Sequence, residues 1–392
     1  MDTRTKRLIY FSPYDLLRPR TNQISDVRFC EAFAENNLAV ELIVPTVIRV
    51  DNLPKENILK FYDVQQNFGV HFLDANYKDE NISKLNFLRL SLLCLRRTKN
   101  HGSNKNEVLY IVSRSEILLL FTLIYKRIFF KKNWKVSSWL HELKSGWIHK
   151  WVYRNSDFVL ATNSSILNDL KKQQPKETFK TAITYNPISQ HQSQSALSKI
   201  ESREKIKYTS EKPLIVYTGK LFIGQHEIKH IIEAARELTQ YEFIFTGGKP
   251  NVVAHYNQFF KKNGIINIQL TGYINDYRSL KHYQKAADLL ISYYTTQEHD
   301  TSYNLPNKFG EYMISGNPII TPFFKASQDL IKDDNAFQVA PENTMALIEE
   351  IQKIFQNPDL MKRKADNSYV TIKELSYNKV AKSILTVFKN ET

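Results

Sequence analysis

The chain has 392 residues, 42% of them hydrophobic, which is enough for a sizeable core and for two domains of ordinary size. Its two cysteines, Cys30 and Cys94, lie inside apolar helix-like runs, which argues against a disulfide scaffold or a structural zinc site and fits a reducing compartment. The net charge is +14 and unevenly spread: residues 1–200 carry 30 Lys and Arg against 18 Asp and Glu, the remainder 24 against 22. A basic front half points to a polyanionic partner such as a membrane surface, nucleic acid or a phosphorylated ligand; the plainer alternative is a soluble basic surface.

The first residues, MDTRTKRLIYFSP, run straight into a strand-like segment, so no secretory signal is expected. RLIYFSP, AVELIVP, VHFLDA, EVLYIVS, KVSSWLH and DFVLATNS are strand candidates, and most of the runs between them carry helical periods. The longest apolar run, ILLLFTLIY at 117–125, is far shorter than the roughly 20 residues of a membrane span. The stretch 189–213, SQHQSQSALSKIESREKIKYTSEKP, has few apolar anchors and reads as a linker or a solvated connection.

Beyond it the alternation resumes. PLIVYTG (213–219), YEFIFTGG, INIQLTGYI, ADLLISYY, NPIITP and AFQVAP read as strands. EIKHIIEAAREL (227–238), VVAHYNQFFKKNG closed by Gly264, YRSLKHYQKA, PNKFGEYMISG and roughly 341–356 read as helices. VTIKELSYNKVAKSILTVFKN closes the chain as one helical stretch. The fold class is therefore α/β, with two Rossmann-like doubly wound domains facing a cleft. The expected boundaries are 1–195 and 205–370, with 371–392 as a C-terminal helix packing back on the first domain.

The segment 304–322, NLPNKFGEYMISGNPIITP, concentrates the chemistry. Pro306 suits the first turn of a helix, where its missing N–H is no loss. The backbone N–H groups of Asn307, Lys308 and Phe309 would then face outward and bind phosphate, with Lys308 adding a charge. Glu311, in the first turn, could accept hydrogen bonds from ligand hydroxyls. Gly316 closes the helix and Pro318 begins the next strand. The alternative is a plain helix with a glutamate favoured by the helix dipole.

These stretches, in this order, resemble the family 4 glycosyltransferases of the GT-B architecture, whose donor-binding domain is that of the group 1 glycosyl transferases. IVYTGKL, KHIIEAARELTQYEFIFTGG, IQLTGYI, KAADLLIS and LPNKFGEYMISGNPIIT are similar to successive parts of that domain. WLHEL, DFVLATNSSILNDLK and ITYNPIS resemble parts of the first domain. The likeness covers roughly 135–325 well and the first 130 residues poorly, and only the match at 304–320 is specific. It implies that Glu311 hydrogen-bonds the nucleotide ribose and that Gly219, Lys220, Asn307, Lys308 and Phe309 surround the donor phosphates. It also implies that His141 points toward the transferred sugar, with catalytic roles for His141, Lys220 and Glu311; a histidine capping a strand end is the alternative.

Three departures from the family pattern stand out. A glutamate eight positions before Glu311 is Tyr303 here, with Glu298 nearby as a substitute. The Lys-Gly after the first glycine is replaced around Gln225 and His226. The glycine-rich loop after the first strand is replaced by one carrying Arg18 and Arg20, expected either to contact a donor or acceptor phosphate or to be surface arginines.

The resemblance implies a retaining glycosyltransferase, hexosyl in type, with a UDP- or GDP-linked sugar as substrate, no cofactor and no metal. The expected setting is bacterial surface polysaccharide synthesis. A carbohydrate or lipid-linked acceptor is the expected partner. No nucleic-acid motif is present, and no nucleic-acid partner is expected. The expected location is cytoplasmic, peripheral on the inner face of the membrane. KLNFLRLSLLCLRRTKN (84–100) and ILLLFTLIYKRIFFKKNWK (117–135), which mix Leu and Phe with basic clusters, could lie on an anionic surface there, or be buried helices with basic ends. The rival readings are a sugar-nucleotide epimerase or phosphorylase on the same fold, and a non-catalytic basic binding protein on a degenerate scaffold.

Overall fold

The computed structural model describes residues 5–16, 21–47, 59, 62, 64–77, 84–101, 107–185, 187, 197–274, 277–295 and 302–389. The chain divides into two compact units, Met1–Tyr185 with Tyr377–Thr392, and Asn186–Ser376.

In the first unit, β1 (Thr5–Phe11), β2 (Ala39–Val47), β3 (Gly69–Tyr77), β4 (Glu107–Ser113), β5 (Trp134–Leu140), β6 (Phe158–Ala161) and β7 (Thr181–Ile183) form one sheet in the order 3-2-1-4-5-6-7. Every pairing in it is parallel. Strands of this kind need both faces covered, which is why β4 is buried at every position after Glu107. The crossover helices are α1 (Thr21–Glu35), α2 (Lys84–His101), α3 (Glu116–Ile128), α4 (Trp147–Asn155) and α5 (Ser164–Gln173). Ile9, Phe11, Leu109 and Ile111 pack with Leu118, Leu119 and Leu123 of α3 on one face. On the other, Tyr10 meets Trp139, which meets Phe29 of α1. Cys30 and Cys94 are buried and free.

The second unit begins with α6 (Lys199–Lys205) and carries β8 (Leu214–Thr218), α7 (His226–Glu237), β9 (Glu242–Thr246), α8 (Pro250–Lys262), β10 (Ile268–Gly272), α9 (Tyr277–Ala286) and β11 (Leu289–Ile291). α10 (Lys308–Ser315), β12 (Ile319–Pro322), β13 (Phe337–Val339), α11 (Thr344–Phe355) and α12 (Pro358–Lys373) complete it. Its sheet is parallel in the order 10-9-8-11-12-13. Alternate residues of β8 enter opposite layers: Ile215 and Tyr217 pack with Ile228 and Ile231 of α7, Leu214 and Val216 with Phe309 and Tyr312 of α10. Both units are thus doubly wound.

Two stretches differ from the sequence reading. The polar run 189–213 contains α6, started by a capping box in which Ser198 accepts from the Glu201 N–H and Glu201 accepts from the Ser198 N–H. Arg203 and Lys199 of α6 anchor it to the Asp288 carboxylate. The final helical stretch is two helices, because its apolar residues serve different cores. Ile372 of α12 packs in the second unit, whereas the last helix, α13 (Tyr377–Lys389), belongs to the first. There Tyr377 meets Phe29 edge-on at 4.8 Å and Phe388 stacks on Tyr110 at 4.9 Å.

Candidate functional site

In the second sheet β8 lies between β9 and β11, so successive crossovers leave it in opposite directions. A ligand crevice is expected off the carboxyl ends of β8 and β11 at such a reversal. β8 ends at Thr218 and leads to Gly219; β11 ends at Ile291 and leads to Tyr293 and Tyr294; α10 begins nearby with Lys308.

Glu227, in the first turn of α7, is the hub of this crevice. Its side chain is 1% exposed. The Tyr293 N–H donates to it at 3.1 Å, the Tyr217 hydroxyl at 3.2 Å and the Gln225 amide at 3.2 Å. The Lys308 ammonium lies 3.5 Å from the same carboxylate and is 12% exposed. That ammonium also sits over the rings of Tyr217 at 4.4 Å and Tyr294 at 4.8 Å, a cation–π sandwich. Burial pulls the Lys308 pKa below its usual value, and the charges of Glu227 and Glu311 oppose that shift.

One helical turn on, Glu311 accepts a hydrogen bond from the Gln284 amide at 3.0 Å. The same amide is 3.3 Å from the Thr218 hydroxyl, which ties α9 to the end of β8. Burial raises the Glu311 pKa, opposed by that hydrogen bond and by Lys308 and Lys281. Beneath it the Tyr312 hydroxyl accepts from the Thr218 N–H at 2.8 Å, fixing α10 against β8. Gly316, in the left-handed region at φ 73°, closes α10.

Close backbone approach dictates two glycines. A Cβ on Gly219 would lie 2.8 Å from the Tyr217 hydroxyl and 3.0 Å from the Lys308 ammonium. A Cβ on Gly247, at φ 121°, would lie 1.9 Å from the Gly219 carbonyl oxygen. Gly247→Ala should therefore push the loop after β8 out of place and lower stability by about 2 kcal/mol or more. Thermal unfolding measures this, and a variant melting with the wild type would show that the loop accommodates the methyl group.

In the first unit the corresponding reversal lies between β1 and β4. There Asp26 is fully buried, accepting from the Tyr10 hydroxyl at 2.8 Å and the Ser12 hydroxyl at 2.7 Å. Arg114 pairs with it at 3.2 Å, donates to the Ser25 hydroxyl at 2.7 Å and lies over the Trp139 ring at 5.1 Å. His141 follows β5 at the same edge, and its Nε2 is buried with no hydrogen-bond partner among the described residues. Burial, helped by the Arg114 cation, pushes the His141 pKa well below its usual value. The unfolded chain therefore takes up this proton first as pH falls. The stability concerned is complete above about pH 6.5 and is lost below it, by at most about 1.4 kcal/mol per pH unit. Urea unfolding of wild type and His141→Gln between about pH 7 and 5 should show the shallower pH dependence in the variant; equal slopes would contradict it.

Of the residues singled out in the sequence, Gly219, Lys308 and Glu311 come together in the second unit. Lys220 is exposed beside them, and Asn307 is exposed at the start of α10. Phe309 departs from expectation: its N–H donates to the Pro306 carbonyl at 3.2 Å, and its ring is buried against Phe324 and Tyr294. The tight turn after Pro306 uses that amide, so it is not a free phosphate donor. Gln225 supplies no cation; it stands just before α7, and its side-chain oxygen accepts from the Phe222 N–H of the preceding loop at 3.3 Å. Tyr303 lies below the Lys325 ammonium, 5.9 Å from its ring. Arg18, Arg20 and Glu298 lie outside the described residues.

Glu227, Tyr217, Tyr294, Gln284, Asp26 and Arg114 escaped the sequence reading. The usable signal was position. Tyr217 stands near the end of one inner strand, Tyr294 just past another, and Arg114 immediately after β4, all at the edge where parallel sheets place ligands.

Comparison with known proteins bears on this geometry. Residues 212–357 match the family model described as glycosyl transferases group 1. No curated protein matches the chain by sequence. Among solved structures, Anabaena Alr3699/HepE in complex with UDP and glucose is similar with a TM-score of 0.66 at 14% identity, over 98% of this chain and 100% of that one. The sucrose-phosphate synthase of Thermosynechococcus elongatus gives 0.71 at 14% identity, over 98% and 99%. The lipopolysaccharide outer core galactosyltransferase WaaB gives 0.69 at 13% identity, over 98% and 100%. The second unit thus carries the group 1 glycosyl transferase sequence pattern, and the whole chain has the GT-B fold of glycosyltransferases.

Proposed function

We propose that the protein moves a sugar from a nucleotide-sugar donor to a hydroxyl of a carbohydrate or lipid-linked glycan, with retention, in bacterial surface polysaccharide assembly at the cytoplasmic face of the membrane. One observation carries this reading: the Lys308 ammonium lies against the Gly219 backbone at the carboxyl end of β8, with the Glu311 carboxylate one helical turn further on. A nucleoside diphosphate offers the matching groups, anionic oxygens for Lys308 and ribose hydroxyls for Glu311. Breaking the bond between the anomeric carbon and the diphosphate oxygen leaves charge on that oxygen, where a preorganised cation stabilises it. The acceptor oxygen forms the new bond, and its proton passes to the departing diphosphate.

Support comes from the group 1 match and from HepE, whose structure has been solved with UDP-glucose. UDP-linked hexoses are therefore the first donors to test, and the reaction is proposed to need neither metal nor cofactor. The experiment is transfer from a panel of UDP- and GDP-sugars to glycan and glycolipid acceptors, with and without a chelator, reading the anomeric configuration of the product by NMR. A product of retained configuration, formed in chelator, is expected. Donor converted without an acceptor would favour epimerisation. Donor neither bound nor converted would favour the non-catalytic reading, which the absence of a cation at Gln225 already supports.

A further inference from the structure

The outer layer formed by α2, α3 and α4 in the first unit has a surface unlike that of a helix facing water. α3 lies between α2 and α4. Its inward side chains include Leu118, Leu119 and Leu123. Its outward stripe, at spacings of four and three, is Ile117, Phe121, Ile124 and Ile128, none of them buried and none polar. A helix with apolar residues on its outer as well as its inner face is expected to meet an apolar phase on both. Beyond its end, Phe129 and Phe130 are exposed, Phe130 at 81% with a left-handed backbone of φ 47°. Trp147, opening α4, is 77% exposed, and Leu85, opening α2, is 75% exposed.

The charge around this surface is mostly positive, with Asp157, after α4, paired to Lys126 of α3. The exposed stripe of α2 reads Leu85, Arg89, Leu92, Arg96 and Lys99, alternating apolar and basic groups. Lys131 and Lys132 follow the phenylalanine pair. In residues 84–101, 116–135 and 147–155 the sole acidic side chain is Glu116, which is buried and accepts from the Tyr153 hydroxyl at 2.8 Å. Among the described residues no helix is long and apolar enough to cross a membrane.

We propose that the α2–α4 face docks on an anionic lipid bilayer. Phe129, Phe130 and Trp147 would enter the headgroup boundary, and Arg96 and Lys132 would meet lipid phosphates. Exposed aromatic and aliphatic groups interleaved with cations that outnumber carboxylates match that interface, where apolar burial and attraction to anionic lipid add. Leu85 and Trp147 open their helices on the side of the strand carboxyl ends, so the face reaches the rim that carries His141. The inference concerns the first unit and does not depend on the donor site.

The test is flotation of the full chain with vesicles of phosphatidylcholine, alone or mixed with phosphatidylglycerol. The wild type should float with the anionic vesicles and be released by salt. Phe129→Ser with Phe130→Ser should reduce that partition about tenfold or more. Arg96→Gln with Lys132→Gln should weaken it and flatten its salt dependence. Both variants should keep the wild-type melting temperature and nucleotide binding, so failure here is separable from failure of the donor-site reading. Failure of the wild type to float, or a phenylalanine variant that floats as well as the wild type, would overturn the proposal. So would a wild-type dimer in velocity sedimentation that the phenylalanine variant breaks while neither floats, since a second copy would then cover the face. RNA binding in place of vesicle binding would overturn it too.

Discussion

Lys308→Met should lower sugar transfer by about 10²- to 10³-fold, the loss typical of removing one preorganised group that meets developing negative charge. Methionine keeps the apolar stem between Tyr217 and Tyr294 and removes only the charge. Stability should fall too, because the Glu227 carboxylate stays buried with three donors and no cation; about 1–3 kcal/mol is expected. The two effects separate in the double variant Lys308→Met with Glu227→Gln. A neutral amide there no longer needs a counter-charge, so the melting temperature should recover while turnover stays low. Recovery of both would make Lys308 a structural partner of Glu227 and nothing more.

Asp26→Ala should lower stability by about 3–5 kcal/mol, because it strands Arg114 as a buried cation. Arg114 would keep the Ser25 hydroxyl and the Trp139 ring, neither of which carries a negative charge. The Tyr10 and Ser12 hydroxyls would lose their acceptor as well. Adding Arg114→Met should restore much of the loss, since a buried ion pair is worth little against a well-packed apolar replacement. Urea unfolding followed by tryptophan fluorescence suits the measurement, as all four tryptophans lie in the first unit. A loss below about 1 kcal/mol would mean that water or rearrangement solvates Arg114.

Much of the fold was legible because both sheets are parallel. Buried strands such as LIVYT and EVLYIVS carry continuous rather than alternating apolar runs, and the helices between them show the 3.6-residue period. Three features were not legible. β7 is only Thr181–Ile183 and has no apolar run to announce it. α6 hides in a polar stretch because its anchor, Asp288, is distant in sequence. The break between α12 and α13 depends on which core each apolar residue joins, which local spacing does not encode.

The candidate site divides in the same way. Lys308 and Glu311 sit together on one helical turn, so spacing alone could show them. Glu227 looks like an ordinary first-turn acid of α7, and its meaning lies in Lys308, Tyr217 and Tyr293, which the fold brings to it from elsewhere. Phe309 was misread for a local reason: the turn after Pro306 takes up its amide.

The proposed function requires a nucleoside diphosphate at the carboxyl end of β8 with its ribose on Glu311. Titration calorimetry of UDP, GDP, ADP and CMP into wild type and Glu311→Gln tests it most directly. One diphosphate should bind the wild type, and the variant should bind it about 10²-fold more weakly, the cost of two hydroxyl–carboxylate hydrogen bonds. Equal affinity in the two proteins, or no binding of any nucleotide to the wild type, would contradict it.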